Sequence, residues 1–399
     1  MKLVDIAEFY SDQGGGVRTY IQQKLAAAKV AGHDCLIIAP GPETREEQRD
    51  GGRIQWVEAP PIPVDKRYHL FWKAEEIHRI LEREQPDVVE GSSPWRGGWI
   101  AATWQDKRPR PAIKSFFFHQ DPVAVYPHTF LDRFMSTDSV DALFFWFWAY
   151  LRKLGRKFDT TIVAGDWLAE RLQQHGLGNA HAIPLGIDAS AFSPDKGSEE
   201  LRRELLKKCG ISDPDGKLFI SVSRHHPEKR IGCLIRAIDR VNRVRPVGLY
   251  LIGDGPARTS VDRLARRHKG TCVAGFTKDR DQLARILASA DGMLHGSAAE
   301  TYGLVIAEGL CAGLPLVVPN LGGAADLARP DYAEFYKAGD VAGCTDALHR
   351  FLLRDPATMR QAAGEAAKQK VIPPEEHFRR LFAHYEQLIK KKRDPAEHD

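Results

Sequence analysis

The sequence predicts two doubly wound α/β domains, and three observations carry that prediction. Short apolar runs alternate with helical periodicity through both halves of the chain. Its 399 residues suit two domains of similar size, at roughly 100–200 residues each. A turn-rich stretch, Gly186-Ile-Asp-Ala-Ser-Ala-Phe-Ser-Pro194, separates the halves. Strands that alternate with helices imply βαβ units and a mostly parallel sheet.

The first half opens with a strand, Leu3–Phe9, then a loop from Ser11 to Gly16. Val17, Tyr20, Ile21, Leu25 and Ala28 recur at helical spacing until Gly32 stops the run. Strands follow at Cys35–Ala39, Ile54–Glu58, Val88–Glu90, Ile113–Phe118 and Thr161–Ala164, with helices near 70–84 and 139–157. The second half repeats the rhythm. Leu218–Val222, Gly248–Ile252, Thr271–Ala274, Gly292–His295 and Leu316–Val318 are buried-strand candidates. Helical segments near 229–243, 256–268, 279–289 and 302–312 separate them. The resulting division is 1–190, 191–374, and a C-terminal helix with a basic tail, 375–399, for which packing back on the first domain is one placement. Two such domains face a cleft lined by the carboxyl ends of their strands, where open α/β sheets bind ligands.

Composition narrows the class. An apolar fraction of 43% and a charged fraction of 28% exclude disorder. A net charge of +4 without a basic stripe argues against nucleic acid as a partner. The longest nearly uncharged apolar stretch, Ala142 to Tyr150, is far short of the ~20 residues of a spanning helix. The N-terminus carries acids where a secretory signal has its apolar core. Six scattered cysteines without a Cys-x-x-Cys pair fit a reducing cytoplasm rather than a disulfide or zinc scaffold.

Several groups could carry chemistry. Gly14-Gly15-Gly16 joins the first strand to the first helix. Glycine lets the backbone approach a ligand, and the helix start favours anionic oxygens, so phosphate contact is preferred to a plain turn. Arg224 and Lys229 follow the first strand of the second domain, where two cations suit a diphosphate leaving group, or simply a polar surface loop. Glu300 and Glu308 bracket Glu-Thr-Tyr-Gly-Leu-Val-Ile-Ala-Glu. Roughly 12 Å of helical rise separates them, too far to share a proton. They suit two hydroxyl-bearing parts of one extended ligand, with the amides of Thr301–Leu304 between; otherwise Glu300 is a cap and Glu308 a surface charge. His119 ends a strand, at the position where α/β active sites form, or where a loop satisfies an ordinary histidine.

Taken together these motifs resemble the retaining glycosyltransferases of family 4. The resemblance rests on the glycine loop, the His119-Gln-Asp strand end, Arg224-x4-Lys229, Glu300-x7-Glu308 with its Tyr302-Gly303, Gly186-Ile-Asp188, and Ala312-Gly-Leu-Pro-Leu-Val-Val318 followed by Gly322-Gly323. It implies the GT-B fold, two Rossmann-like domains, and hexose transfer from a nucleoside-diphosphate sugar, a UDP-sugar or GDP-mannose, to a hydroxyl. It further implies retained anomeric configuration, no resident cofactor and no bound metal. Under it the amides of Gly15 and Gly16, with Arg224 and Lys229, hold the diphosphate. His119 and Glu300 contact the hexose, near the amides of Tyr302, Gly303 and Leu304. Glu308 binds the ribose, and the loop at Val273-Ala-Gly275 edges the base. There are departures: Ser223 and Arg230 stand where the family usually has glycine, Asp326 where it has glutamate, and His119-Gln-Asp carries an extra residue. Asp213-Pro-Asp215 and Asp279-Arg-Asp281 spell a cation motif of another glycosyltransferase fold, but lie in a polar turn and at a helix start, and read as structural.

The expected acceptor is a glycan or lipid-linked intermediate of a bacterial cell envelope, met by the aromatic-rich first domain. Phe144-Phe-Trp-Phe-Trp148, followed by Arg152, Lys153, Arg156 and Lys157, reads either as an interfacial anchor at the inner membrane's cytoplasmic face or as a core helix, and the core helix is preferred. Two rival functions remain. A dinucleotide-dependent oxidoreductase needs a Gly-x-Gly-x-x-Gly turn that the first loop lacks. A non-catalytic two-lobed sugar-nucleotide-binding protein would show no turnover.

Overall fold

The computed structural model describes residues 1–12, 16–62, 65–132 and 134–393. It contains two compact units, one of Met1–His119, Phe144–Pro184 and the C-terminal segment from Pro374, the other of Gln120–Leu143 and Leu185–Pro373. The C-terminal segment from Pro374 groups with the first unit, while residues 120–143, expected in the first domain, group with the second unit.

The first unit holds an eight-stranded sheet. Its order is Ala180–Ala182, Thr160–Val163, Ile113–Phe117, Val88–Gly91, Lys2–Ile6, Asp34–Gly41, Gly52–Glu58 and Arg45–Arg49, parallel except for the last pair. The central strands are buried along almost their whole length, as strands covered on both faces must be. The first strand ends at Ile6, short of the expected Phe9: after a last amide bond from Ala7 to the Ile38 carbonyl the chain turns, with the Tyr10 amide donating to the Ala7 carbonyl. Arg45–Arg49, with no apolar alternation, was not expected as a strand; it is an edge strand returning antiparallel onto Gly52–Glu58. The expected helix over 139–157 is two helices, Thr137–Leu143 and Phe145–Gly155, which fall in different units.

A buried ionic network lies inside this unit. Lys24, on helix Gly16–Val30, donates to Asp5 at 2.7 Å and to Glu90. Tyr385, on the C-terminal helix Pro374–Arg393, donates to the other Glu90 oxygen at 2.5 Å and meets Ser115 at 2.9 Å. One set of charge-assisted bonds therefore ties the last helix to the first, within a single unit.

The second unit carries a six-stranded, all-parallel sheet ordered Thr271–Gly275, Val247–Ile252, Lys217–Val222, Gly292–Leu294, Leu316–Pro319 and Ala333–Tyr336. Helix Ile231–Val241 packs its apolar face, Leu234, Ile235, Ile238 and Val241, into the core beneath it. Strand order reverses between Lys217–Val222 and Gly292–Leu294, so the loops after those two strands form the switch point where such sheets bind ligands.

Candidate functional site

Both switch-point loops are built so that one comes down on the other. After Val222 the chain makes a short turn, Pro227–Lys229, before helix Ile231–Val241. A Cβ on Gly296 would stand 2.4 Å from the Lys229 carbonyl oxygen, so only glycine lets the second loop approach here. The approach brings Lys229 Nζ to 2.5 Å from Glu300 Oε1, with Glu228 Oε1 at 3.4 Å on its other side. Gly322, at φ +87°, and Gly323 pack against the same segment; the Gly323 amide donates to the Glu300 carbonyl at 2.7 Å. A Cβ on Gly323 would lie 2.6 Å from the Tyr302 amide nitrogen.

The electrostatics follow from enclosure. Burial works against the Lys229 ammonium, but the carboxylates of Glu300 and Glu228 outweigh it and hold its pKa above the ordinary lysine value. Burial likewise pushes the Glu300 carboxyl up, and Lys229 and His295 overcome that, leaving it below its usual range. The pair is therefore a lasting ion pair near neutral pH. His295, the residue after strand Gly292–Leu294, faces Glu300 Oε1 at 3.6 Å, and burial pushes its imidazole down to about 4. Its Nε2 and the Tyr302 hydroxyl have no hydrogen-bond partner among the described residues. Nothing in the motifs pointed to His295; a histidine just past a buried parallel strand was its only signal.

Helix Leu304–Cys311 starts at Gly303, whose φ of +90° no residue with a Cβ adopts readily. The helix is shorter than the expected 302–312, so Thr301 and Tyr302 belong to the loop and the helix presents its first amides beyond them. Glu308, buried on this helix, is held by Arg280 at 2.7 Å. Burial raises its carboxyl pKa and Arg280 only partly offsets the rise. Arg280, which was not singled out in the sequence, also lies over the Phe192 ring at 4.9 Å. Gly275, at φ +89°, ends the strand Thr271–Gly275 and accepts the Gly253 amide at 2.8 Å. Gly253 and Gly255 were equally unanticipated. A Cβ on Gly253 would fall 1.9 Å from the Ser223 carbonyl, so the loop that carries Arg224 needs a glycine there. Arg224 itself is exposed, and its guanidinium makes no ion pair or hydrogen bond among the described residues.

The second unit thus brings Lys229, Glu300, Tyr302, Gly303 and Leu304 together, with Arg224, Glu308 and Gly275 on adjoining loops and helix. The remaining candidates belong to the first unit. His119 stacks on Phe117 at 4.2 Å and meets the edge of Tyr20 at 5.8 Å; burial pushes its imidazole down to about 4. Gly16 is the first residue of its helix, while Gly14 and Gly15 lie outside the described residues. Of the two Asp-x-Asp sequences, Asp213 accepts the Asp215 amide within a turn, and Asp279 caps helix Arg280–Ser289 while Asp281 pairs with Lys196.

Comparison with known proteins gives a consistent picture. The family model "Glycosyltransferase Family 4" matches residues 14–191, and "Glycosyl transferases group 1" matches residues 202–370. A GDP-mannose-dependent alpha-mannosyltransferase of Mycobacterium tuberculosis is 30% identical over 343 residues, 83% of this chain and 82% of that protein. A GDP-mannose-dependent alpha-(1-6)-phosphatidylinositol dimannoside mannosyltransferase of the same organism is 26% identical over 392 residues, 95% of this chain and 90% of that one. Among solved structures, sucrose-phosphate synthase from Thermosynechococcus elongatus superposes with a TM-score of 0.73 at 17% identity, covering 98% of this chain and 99% of that one.

Proposed function

We propose a function from one premise: this chain belongs to glycosyltransferase family 4 and has the GT-B fold, so it is an enzyme that transfers a hexose from a nucleotide sugar. Our reading is that the donor is GDP-mannose and the acceptor a hydroxyl of a cell-envelope glycolipid, with the anomeric configuration retained and no metal required. The donor and acceptor classes draw support from what the two mycobacterial relatives are named for. The Lys229–Glu300 pair at the switch point is the observation that carries the assignment of the site.

In this reading Lys229 and the exposed Arg224 neutralise the donor diphosphate, while Glu300 accepts from hexose hydroxyls. The amides of Tyr302, Gly303 and Leu304 supply donors at the helix start. Glu308 takes the ribose hydroxyls and Gly275 lines the base. The contacts of His119, Gly15 and Gly16 with the donor are part of the same proposal. The bond from the sugar C1 to the diphosphate oxygen breaks, the acceptor oxygen bonds to C1 on the same face, and the departing phosphate oxygen takes the acceptor's proton. Catalysis is then positioning and charge stabilisation, with no side chain as general base.

The test is turnover of GDP-mannose by Lys229→Ala and Glu300→Ala. Loss of one group that stabilises developing charge lowers turnover about 100- to 1000-fold, with an unchanged circular dichroism spectrum. Near-normal turnover in both variants contradicts the site assignment.

A further inference from the structure

We propose that His295 is a positioning residue of the donor site: when a diphosphate draws Lys229 away, the His295 Nε2–H takes over Glu300 Oε1. On the donor reading given above, on which this rests, Lys229 has one ammonium and two anions to serve. Both of its close partners are protein carboxylates, with Glu300 Oε1 at 2.5 Å and Glu228 Oε1 at 3.4 Å. An arriving diphosphate must share that ammonium or remove it. A largely enclosed carboxylate that loses its cation is strongly destabilised. Glu300 would then be poorly held at the step where hexose hydroxyls must find it.

His295 stands where a replacement is needed. Its Nε2 lies 3.6 Å from the same Glu300 oxygen, and roughly 0.7 Å of approach would reach the usual N–H···O length. That nitrogen is buried and makes no hydrogen bond among the described residues. Buried polar atoms in folded proteins are nearly always paired, and the acceptor within reach of this one is Glu300. The backbone on both sides is fixed. The His295 amide donates to the Val317 carbonyl at 2.9 Å, and Tyr336 donates its hydroxyl to the His295 carbonyl at 2.5 Å. The Gly323 amide holds the Glu300 carbonyl in turn. Movement is left to the Glu300 carboxylate, whose side chain keeps 21% exposure and has room to turn toward the imidazole.

The chemistry of the ring suits this exchange. Burial pushes the imidazole down to about 4, so near neutral pH it is uncharged and carries one N–H. A carboxylate beside Nε2 favours the tautomer with the proton there, because a bare nitrogen would set its lone pair against negative charge. His295 therefore donates to Glu300 without bringing a second buried cation. At 2% exposure the ring is closed to substrate, so it acts through Glu300. Held by His295 at Oε1, Glu300 keeps Oε2 for the hexose hydroxyls. Only hydrogen bonds change in the exchange, and the proton stays on its nitrogen.

The test is a double-mutant cycle read by calorimetric titration of the full-length protein with GDP and UDP, which needs no turnover. The cycle uses whichever nucleotide the wild type binds. A hydrogen bond to a charged group is worth roughly tenfold or more in affinity, so His295→Phe should weaken binding by about that factor. His295→Gln returns an N–H near the Nε2 position and should recover most of the loss. In a Glu300→Gln background no carboxylate needs the imidazole, and adding His295→Phe should change affinity less than about twofold. A histidine that merely supports the fold would weaken binding equally in both backgrounds. Should His295→Phe not fold, His295→Asn, whose amide falls short of the Nε2 position, is read in its place. Equal losses in the two backgrounds, unchanged affinity without the imidazole, or no recovery in His295→Gln would overturn the proposal and leave the donor reading standing. A wild type that binds neither nucleotide would overturn both.

Discussion

Two lysines of this chain are enclosed beside carboxylates, and the difference between their surroundings separates structure from chemistry. Lys24 has no exposed surface, and every oxygen near it is tied to a fixed partner. Lys229 and Glu300 keep side-chain exposures of 14% and 21%, enough to meet a ligand without reorganising the core. Buried histidines are the other residue-scale feature. His119, His295, His377 and His384 are each pushed down to about 4, with burial the first cause in every case. An unfolded histidine titrates near 6.5, so between roughly 6.5 and 4 the unfolded chain binds more protons than the folded one. Stability must then fall as pH falls through that window. Glu90, pushed up to about 7, and Glu8 and Glu308, also raised by burial, act in the opposite sense, but His33 and His225 are lowered as well and add to the histidine side. Calorimetry across this range should show a steadily decreasing melting temperature; a flat profile contradicts the burial assigned to these rings.

At the scale of elements, Arg230 decides how the loop after Lys229 is used. It sits at φ +47° as the first cap of helix Ile231–Val241, a conformation that costs a side-chain-bearing residue about 1–2 kcal/mol. Its guanidinium pairs with Asp132 and reaches the His128 carbonyl at 3.4 Å, holding the segment 120–143 to the second unit. Arg230→Gly removes the backbone cost together with the latch. The expected outcome is a melting temperature changed little, but faster proteolytic cleavage within 120–143. Cleavage at the wild-type rate would mean that the pair holds nothing. The family resemblance implies that a glycine is usual here, but nothing in the sequence shows that Asp132 waits a hundred residues earlier, because a long-range ion pair leaves no local pattern. Strands such as Val247–Ile252 were legible from their apolar runs, and helices such as Arg280–Ser289 from their caps. Arg45–Arg49 was not, since an exposed edge strand lacks the alternation that marks a half-buried one. The same limit applied to the candidate site: Lys229 and Glu300 were named through motifs that resemble a family's, whereas His295, Arg280 and Gly253 acquire meaning only through what they touch.

Across the whole molecule, two sheets with switch points divide the work. The second unit gathers one ion pair, one helix start and one buried carboxylate around the ends of its central strands. The first unit encloses one ionic network, around Lys24, Asp5 and Glu90. We propose that the first of these arrangements cleaves a nucleotide sugar with retention. Time-resolved proton NMR of the slow hydrolysis of GDP-α-mannose, with water as acceptor, tests it most directly. The expected result is GDP release with α-mannose as the first anomer seen, before mutarotation. First appearance of the β anomer, or no cleavage of any nucleoside-diphosphate sugar, would contradict it.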